Sequence, residues 1–574
     1  MPYPALKVSS YIGNCWQTPF GGYLLLNKCT VLFVSLAMLA PLSVAEQYVE
    51  IVSQQLPTEQ TEYCSGLAEL HSLDRYASLS QLYQTQPAGL IWSHPERRRK
   101  LALAILSLAQ DGLQPGDYPL ALNPPDELDH CTDQRLSSQY LQALEHLHLG
   151  PVAQMSAEPF WQPENSPYNP QNLILQLAIN GLDQIDLTFE QARPSFPLYR
   201  QLQRVYARGI PAEPDFTPLA EGPTLRPLMR DPRVPQLRML LQLKGYLGTE
   251  SDEVIDAADD SYNLSLQEAL RQFQRDHGLE PDAVMGRQTL AALNLSPAQR
   301  EQLLLINLHR MRWLSAQRQP YLLLINVAAG DIRLFQNDSV IWQSKVQTGQ
   351  PKRPTPMLIS RINRVTLNPS WTIPPTIFRE DKLPQIRQDL SFLARSHLQV
   401  LDHQGNQLDP ASIDWERPRG ILLRQPPGPG NPLGRLVLRF PNPFSVYLHD
   451  TPSQHLFYRA ERNLSSGCVR VQDAQGLASQ LLSTLSSSQQ ARIQRLLETT
   501  ETHEIGLPQG PQLILGYWTA EADANGHMQW FGDPYLHDPS LMEKLAPGAK
   551  EGEDQYNRAV YGYVRASSDL PLSN

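Results

Sequence analysis

Cysteine and positive charge are both scarce in this sequence. Five of its 574 residues are cysteine, and the formal net charge is −10. Proteins that bind nucleic acid usually display a basic surface, so this balance gives no indication of a nucleic-acid partner. No internal repeat is visible either. The hydrophobic and charged fractions, 41% and 18%, are those of a globular protein, and the length allows about three to four domains.

The apolar run nearest the N-terminus is short for a membrane span. It extends from Val31 to Ala40 after Lys28, and Ser43-Val44-Ala45 then offers the small residues that signal peptidase requires. A span needs ~20 residues, which favours cleavage over an uncleaved anchor. We therefore expect residues 1–45 to be a signal peptide and the protein to be periplasmic. The membrane is an expected partner only if this segment is retained.

Removal of that segment leaves three cysteines, at Cys64, Cys131 and Cys468. In an oxidising compartment, Cys64 and Cys131 are candidates for a disulfide because both lie in the N-terminal region. Cys468 is then the odd thiol and the candidate for chemistry.

The residues around Cys468 favour a reactive thiol over a structural one. Ser-Ser-Gly precedes it and Val-Arg-Val follows, so a turn delivers the thiol to the start of an apolar segment. The N–H groups of Gly467 and Cys468 are candidate donors to an oxyanion. His449 ends a predicted strand just before Asp-Thr-Pro. A histidine within hydrogen-bond reach is the commonest activator of a cysteine nucleophile.

The words Tyr-Leu-His-Asp-Thr-Pro (447–452) and Ser-Ser-Gly-Cys-Val-Arg (465–470) closely resemble the active-site signature of the L,D-transpeptidases, specifically their large YcbB-like branch. The resemblance implies that the Cys468 thiolate attacks a carbonyl of a peptidoglycan stem peptide and that His449 is the base. It assigns the remaining motif residues to the oxyanion site or the substrate pocket, namely Gly467, Tyr447, Ser466 and Arg470.

Two helical regions precede this motif. Residues 46–228 are predicted to form a helical scaffold domain, with one helix starting at Ser93 before Pro95. Residues 229–297 are predicted to form a three-helix module, in which Ser265 and Glu268 make a capping box. The words Phe-Gln-Arg-Asp-His-Gly-Leu (273–279) and Gly-Arg-Gln-Thr-Leu (286–290) closely resemble the peptidoglycan-binding domain type 1.

A linker helix at 298–319 leads into a region where period-two patterns and short apolar runs predict strands. We assign residues 320–545 to a mostly β catalytic domain and 546–574 to a polar tail. The stretch 375–434 is too long for a hairpin loop, so we expect an insertion that lies over the site. The resemblance implies a substrate-capping subdomain there. Trp371, just before it, is either core packing or a wall of the substrate cleft.

Arginines in and after the insertion are either solvated or suited to the carboxylates of stem peptides. They are Arg417, Arg419, Arg424, Arg435 and Arg439. No other region suggests a ligand: Asp533 and Asp538 offer too few ligands for a metal loop. We assign no metal and no cofactor.

The sequence thus predicts a multi-domain α+β protein, an exported L,D-transpeptidase with no cofactor. The expected partners are donor and acceptor stem peptides and other cell-wall enzymes, and the expected product is a 3→3 cross-link. Two alternatives stay open: an L,D-carboxypeptidase, in which water resolves the same thioester, and a non-catalytic wall-binding protein.

Overall fold

The computed structural model describes residues 73–85, 89–163, 170–211, 213, 216–248, 259–483 and 485–545. The predicted signal peptide, Cys64 and the predicted polar tail lie outside these residues. Cys131 is disulfide-bonded, and its pairing with Cys64 stays a prediction. In the described part of the chain, no helix has both the length and the apolarity needed to cross a membrane.

The first described region is helical, as the sequence predicts. Its helices are α1 (Leu73–Gln84), α2 (Pro95–Ser107), α3 (Pro119–Leu122), α4 (His130–Leu149), α5 (Gln154–Ala157), α6 (Pro170–Asn180), α7 (Ile185–Ala192) and α8 (Pro197–Arg208). The sequence predicts that helix α2 starts at Ser93, but its N-cap residue is His94, whose side chain makes no capping hydrogen bond. Pro95 occupies the first helical position, and a residue before proline is held in an extended conformation, so the cap falls on the immediate neighbour.

A smaller helical unit follows, consisting of α9 (Val234–Leu243), α10 (Leu264–Asp276) and α11 (Arg287–Leu293) around their own apolar core. The predicted capping box is wrong. Helix α10 begins at Leu264, and the side chain of Asn263 accepts from the N–H of Leu266 at 3.0 Å. Ser265 is therefore already inside the helix, and its hydroxyl donates to Asn263. Glu268 pairs instead with Arg275 at 2.8 Å.

The predicted linker helix is extensively buried within the described part of the chain. Helix α12 (Pro297–Gln317) is buried on nearly every face. Arg312 Nε donates to the carbonyl of Leu147 in the helical region, at 3.2 Å, and Asn307 donates to Thr519 Oγ1 in the β region, at 3.0 Å. A helix buried all round acts as a core element, so α12 holds the helical and β regions together.

The β region forms an 11-stranded sheet. Its strands are β1 (Tyr321–Asn326), β2 (Asp331–Gln336), β3 (Ser339–Gly349), β4 (Leu358–Arg361), β5 (Arg364–Leu367), β9 (Leu436–Arg439), β10 (Leu448–His449), β11 (Asn463–Ser465), β12 (Val469–Val471), β13 (His503–Gly506) and β14 (Gln512–Gly516). They lie in the order β13-β5-β9-β10-β12-β3-β2-β1-β14-β4, with β11 beside β3. A separate hairpin consists of β15 (Ala520–Ala522) and β16 (Met528–Trp530).

The sheet curls so that its strands enclose one apolar core. Leu323 and Ile325 of β1 point into this core, and Leu477 of helix α16 (Ala474–Leu482) fills it. Leu322 and Leu324 point to the other side, against the core beneath α8 and α12. Burial of both faces explains why β1 has an unbroken apolar run instead of an alternating one. Helices α17 (Ser487–Leu497) and α18 (His537–Leu545) complete the region.

The predicted insertion is a small subdomain with a core of its own. It contains β6 (Trp371–Thr372), α13 (Pro375–Ile377), a π-helical turn (Phe378–Lys382), α14 (Leu383–Gln388), α15 (Phe392–Arg395), β7 (Gln399–Leu401) and β8 (Leu422–Gln425). The strands form a three-stranded sheet in the order β6-β8-β7. Ile373, Val400 and Leu423 are among its fully buried residues. The subdomain begins at Trp371, because β6 pairs with β8 inside it.

Candidate active site

The register of the sheet brings the motif residues to one face. Strands β10 and β12 are parallel, with Leu448 beside Val469, and both of these side chains point into the enclosed core. Because side chains alternate along a strand, Tyr447, His449 and Cys468 point the other way from these two, although Tyr447 and Cys468 still pack against residues of the core. The rings of Tyr447 and His449 are in edge contact there, with centroids 5.7 Å apart. Cys468 and His449 are thus diagonal neighbours on adjacent strands.

A tight turn delivers Cys468 to the start of β12. Gly467 has φ +113°, a conformation that residues with a Cβ rarely adopt. Two hydroxyl groups hold this turn: Ser465 Oγ donates to the carbonyl of Cys468 at 2.5 Å, and Thr355 Oγ1 donates to the carbonyl of Gly467 at 2.9 Å. The position of Cys468 is therefore determined by side chains on both sides of the turn.

The N–H of Gly467 has a partner already. It donates to Ser465 Oγ at 3.1 Å, so it becomes available to an oxyanion only if this hydroxyl turns away. The side chain of Tyr447, by contrast, interacts electrostatically with the side chain of Cys468 itself. Burial raises the pKa of Tyr447 well above its ordinary value, which keeps the phenol protonated and able to donate.

His449 is held by a backbone carbonyl and not by a carboxylate. Its Nδ1 lies 2.6 Å from the carbonyl oxygen of Asp450. A carbonyl can only accept, so Nδ1 carries the proton and Nε2 is left as an unprotonated base. Burial and the charge of Arg470 lower the pKa of His449 to about 3. The imidazole is therefore neutral at physiological pH.

The side chain of Asp450 is engaged elsewhere. Its Oδ2 accepts from the N–H of Arg435 at 2.8 Å, which turns the carboxylate away from His449. This arrangement requires a glycine at position 434, where φ is +61° and a Cβ would lie 2.4 Å from Asp450 Oδ2. Gly434 thus permits the close approach that fixes Asp450, and Asp450 in turn orients the imidazole.

The thiol of Cys468 is neutral as well. Burial raises its pKa above the ordinary value, while hydrogen bonds from the backbone and side chain of Tyr447 and the charges of Arg470 and Arg439 oppose that shift. With both Cys468 and His449 neutral, the resting pair is a thiol beside an imidazole and not an ion pair. Proton transfer must then accompany attack on a substrate.

Arg470 and Trp371 both border this site. Arg470 Nη1 donates to Gln347 Oε1 at 3.1 Å, and the lone Nε of Arg470 is buried without a partner. The side chain of Trp371 interacts electrostatically with Tyr447, while its ring packs against the core of the insertion. Trp371 therefore fits both readings that the sequence left open.

Arg353 connects the insertion to the turn that carries Cys468. Its guanidinium makes a two-pronged contact with Asp381, with both N···O distances 2.8 Å, and a further contact of 2.6 Å with Glu380. On its other side it donates to Ser466 Oγ at 3.1 Å, two residues from Cys468. The insertion and the turn before Cys468 are thus joined through one side chain.

Of the five arginines in and after the insertion that the sequence singled out, Arg439 alone borders the site. Its guanidinium lies 5.5 Å from the centre of the Tyr447 ring. Arg424 hydrogen-bonds with Thr372, and Arg435 donates to a backbone carbonyl of α17. Arg417 and Arg419 are exposed on the insertion.

Sequence reasoning missed Arg353, Thr355 and Ser465. Arg353 and Thr355 both lie in the word Gly-Gln-Pro-Lys-Arg-Pro-Thr-Pro (349–356), so their signal was present without a role attached to it. Among the described residues, no group of three or more histidine, cysteine or carboxylate side chains is placed to hold a metal ion. Asp538 instead accepts from Arg310 at 2.5 Å.

Comparison with known families agrees with this architecture. Residues 320–493 match the model described as "L,D-transpeptidase catalytic domain", residues 77–205 match "Scaffold domain", and residues 230–293 match "Putative peptidoglycan binding domain". The chain therefore carries an L,D-transpeptidase catalytic domain together with a peptidoglycan-binding domain, and the multi-domain α+β prediction is confirmed. Placement in the YcbB-like branch stays a prediction.

One curated relative and two solved structures extend the comparison. A Haemophilus influenzae protein named "Putative L,D-transpeptidase" is 33% identical over 220 residues, which cover 38% of this chain and 44% of the relative. An L,D-transpeptidase structure from Xylanimonas cellulosilytica is 17% identical, with 53% of this chain and 100% of that chain covered and a TM-score of 0.16. One from Mycobacterium smegmatis is 15% identical, with 34% and 58% covered and a TM-score of 0.15.

Proposed function

We propose that this protein is a cysteine-dependent L,D-transpeptidase that forms 3→3 cross-links between peptidoglycan stem peptides. The observation that carries the proposal is the state of His449. Its Nδ1–H donates a hydrogen bond to the carbonyl of Asp450, which leaves Nε2 as a base on the same face of the sheet as the thiol of Cys468. A domain that only binds the cell wall has no need of such a pair.

In the first half-reaction, Cys468 Sγ attacks the carbonyl carbon of the third stem residue. The thiol proton moves to His449 Nε2 as the new C–S bond forms, because neither group is charged beforehand. The C–N bond to the terminal D-Ala then breaks, and the proton passes from His449 to the departing amine. A thioester on Cys468 and free D-Ala are the products.

The negative charge on the carbonyl oxygen needs hydrogen-bond donors. The hydroxyl of Tyr447 and the N–H of Cys468 are the donors we assign, joined by the N–H of Gly467 once Ser465 Oγ has turned away. In the second half-reaction, an amine of an acceptor stem attacks the thioester, His449 removes the amine proton, and Sγ leaves and is reprotonated. The product is an amide between two stems.

The insertion explains how an amine is preferred to water. Trp371 and Arg353 hold the insertion against the residues around Cys468, where it covers a bound stem and excludes water while the thioester awaits its acceptor. We assign the peptidoglycan-binding domain to positioning the enzyme on its polymeric substrate. An extracytoplasmic location follows from that substrate, and export through residues 1–45 to the periplasm stays part of the proposal.

Two measurements test the proposal. Intact-mass spectrometry after incubation with a carbapenem is expected to show one covalent adduct, which the Cys468→Ala variant does not form. Incubation with purified disaccharide tetrapeptide is expected to yield 3→3 dimer by liquid chromatography and mass spectrometry. Tripeptide as the sole product would make the enzyme an L,D-carboxypeptidase, and absence of both adduct and product would leave the non-catalytic alternative.

The role of the insertion has its own test. Thr372 and Arg424 are direct partners in the pairing of β6 with β8, so the chain can be cut at this pair and rejoined with two glycines. This deletion removes the insertion's core as a unit. We expect the folded variant, checked by circular dichroism, to form thioester and to release more tripeptide relative to dimer. An unchanged ratio of dimer to tripeptide would show that the insertion is not a lid.

A further inference from the structure

A row of side chains runs across the sheet from the thiol to two arginines. Arg364 of β5 lies opposite Arg439 of β9. The register of β9 with β10 continues to place Arg439 opposite Tyr447, in agreement with the stacking of its guanidinium on the Tyr447 ring. Tyr447 in turn lies beside Cys468 when the pairing of Leu448 with Val469 is continued by one residue, and the two side chains interact electrostatically. Directly opposite residues point to the same face, so the four side chains form one row.

A pocket lies at the arginine end of this row. Its volume is ≈ 310 Å³, and its lining includes Arg364, Arg439, Asn363, Asn442 and Tyr447. Clefts of this size hold small ligands or single groups of larger ones. Because Tyr447 contributes both to this pocket and to the contact with Cys468, a substrate attacked by the thiol can place a neighbouring group in the pocket.

The positive charge of Arg439 is only partly used by the protein. Its Nε donates to Thr366 Oγ1 at 3.0 Å, and within the described residues its two terminal nitrogens make no hydrogen bond or ion pair. Arg364 pairs with Glu504 at 2.8 Å, and both of these side chains are about half exposed, 45% and 50%. An exposed pair of this kind contributes little and yields readily to a competing carboxylate.

We propose that this pocket is a carboxylate subsite for the donor peptide, with Arg439 as its principal ligand and Arg364 as its second. The proposal rests on the proposed function for the identity of the donor. A guanidinium fork matches a carboxylate in two parallel hydrogen bonds, and the stacked Tyr447 ring fixes the orientation of the Arg439 fork. The donor offers two carboxylates near the attacked carbonyl: the terminal carboxylate of the leaving residue and the side-arm carboxylate of the third residue.

The test compares three donors: the parent tetrapeptide, its terminal amide and its side-arm amide. For the wild type, amidation of the recognised carboxylate is expected to lower kcat/KM roughly 10- to 100-fold, the range for a hydrogen bond between charged groups. Arg439→Gln should cause a similar loss with the parent and almost no further loss with that amide. If Arg439→Gln causes no further loss with one of the two amides, the carboxylate missing from that amide is the one that occupies the pocket.

Two other variants sharpen the comparison. Arg364→Gln removes the second ligand without touching the Tyr447 ring, so a smaller loss with the same redundancy is expected. Glu504→Gln frees Arg364 and is expected to act in the opposite direction, lowering KM for the parent donor. Arg419→Gln, which removes an exposed arginine outside the pocket, is the charge-matched control and should not change the ratio between acid and amide donors.

Equilibrium binding separates this proposal from the proposed function. Calorimetry with the Cys468→Ala variant, alone and combined with Arg439→Gln, measures affinity for the three donors in the absence of turnover. Binding that depends on both the carboxylate and Arg439 supports the subsite. If the wild type nevertheless converts no donor, the proposed function fails and the subsite proposal stands. The subsite proposal would be overturned if all three donors were converted with equal kcat/KM. It would also be overturned if the loss from Arg439→Gln multiplied with the loss from amidation for both amide donors. Either result would leave the proposed function intact.

Discussion

The contact between Arg353 and the insertion allows a quantitative test of lid closure. Arg353 is mostly buried, with 19% of its side chain exposed, whereas Asp381 and Glu380 are 38% and 59% exposed. Exposed ion pairs are worth about 0.2–1 kcal/mol, and a two-pronged, partly buried pair lies at the upper end of that range. Adding the more exposed Glu380 and the hydrogen bond to Ser466, we take the whole contact as about 1–2 kcal/mol.

The change that removes this contact is Arg353→Gln. At 1.36 kcal/mol for each factor of ten, the ratio of closed to open insertion should fall about 5- to 30-fold. Water then reaches the thioester more often, so the yield of tripeptide relative to dimer rises. Liquid chromatography of the products of purified disaccharide tetrapeptide measures this ratio directly, and carbapenem acylation reports whether the thiol itself is still reactive.

The control and the double variant decide whether Arg353 acts through Asp381. Arg379→Gln removes an exposed arginine next to Glu380 and should leave the product ratio unchanged. Asp381→Asn should reproduce part of the effect of Arg353→Gln, and the two changes together should do no more than Arg353→Gln alone. Fully additive effects, or a ratio of dimer to tripeptide equal to that of the wild type, would refute the idea that this contact holds the lid closed.

Four further outcomes are expected. Cys468→Ala keeps the fold and loses all cross-linking, and residual turnover would disprove the nucleophile. His449→Ala lowers the acylation rate roughly 10²–10⁴-fold with little effect on donor binding in calorimetry. Gly434→Ala displaces Asp450 and lowers the same rate, with the thermal unfolding temperature as the control for gross misfolding. His449→Gln makes stability less acid-sensitive. The native pKa of His449, about 3, lies below its unfolded value, so only the unfolded chain takes up this proton as pH falls below ~6.5. By pH 5 the free energy of unfolding of the wild type, measured in urea, should fall by about 2 kcal/mol more than that of the variant.

Much of the catalytic domain could be predicted from the sequence because its signals are local. The apolar run of β1, the alternating pattern of β2, and the turns at Gly330 and Asn337, both at positive φ, indicate these strands without help from distant residues. The turn at Gly467 and the words around Cys468 and His449 likewise lie within two short stretches. Local chemistry sufficed to select these residues as candidates.

Helix termini were less predictable, because several residues compete for one cap. Ser265 and Glu268 have the spacing of a capping box, yet Asn263 lies two residues earlier and reaches the first free N–H groups. The choice between them depends on where Leu266 and Leu270 must lie to fill the module's core. Packing of these leucines fixes the rotation of helix α10 about its axis, and that rotation determines at which residue the helix begins.

The surroundings of Cys468 were decided by tertiary structure alone. Arg353 meets Asp381 across the boundary of the insertion, and Arg364 meets Arg439 through strand pairing between residues far apart in sequence. The sequence supplied Cys468 and His449 as a pair, but their neutral resting state follows from burial, which no local pattern reports. Contacts between distant segments and the exclusion of water are properties of the folded chain, and they determine which arginine can meet a substrate and how the proton of the thiol can leave.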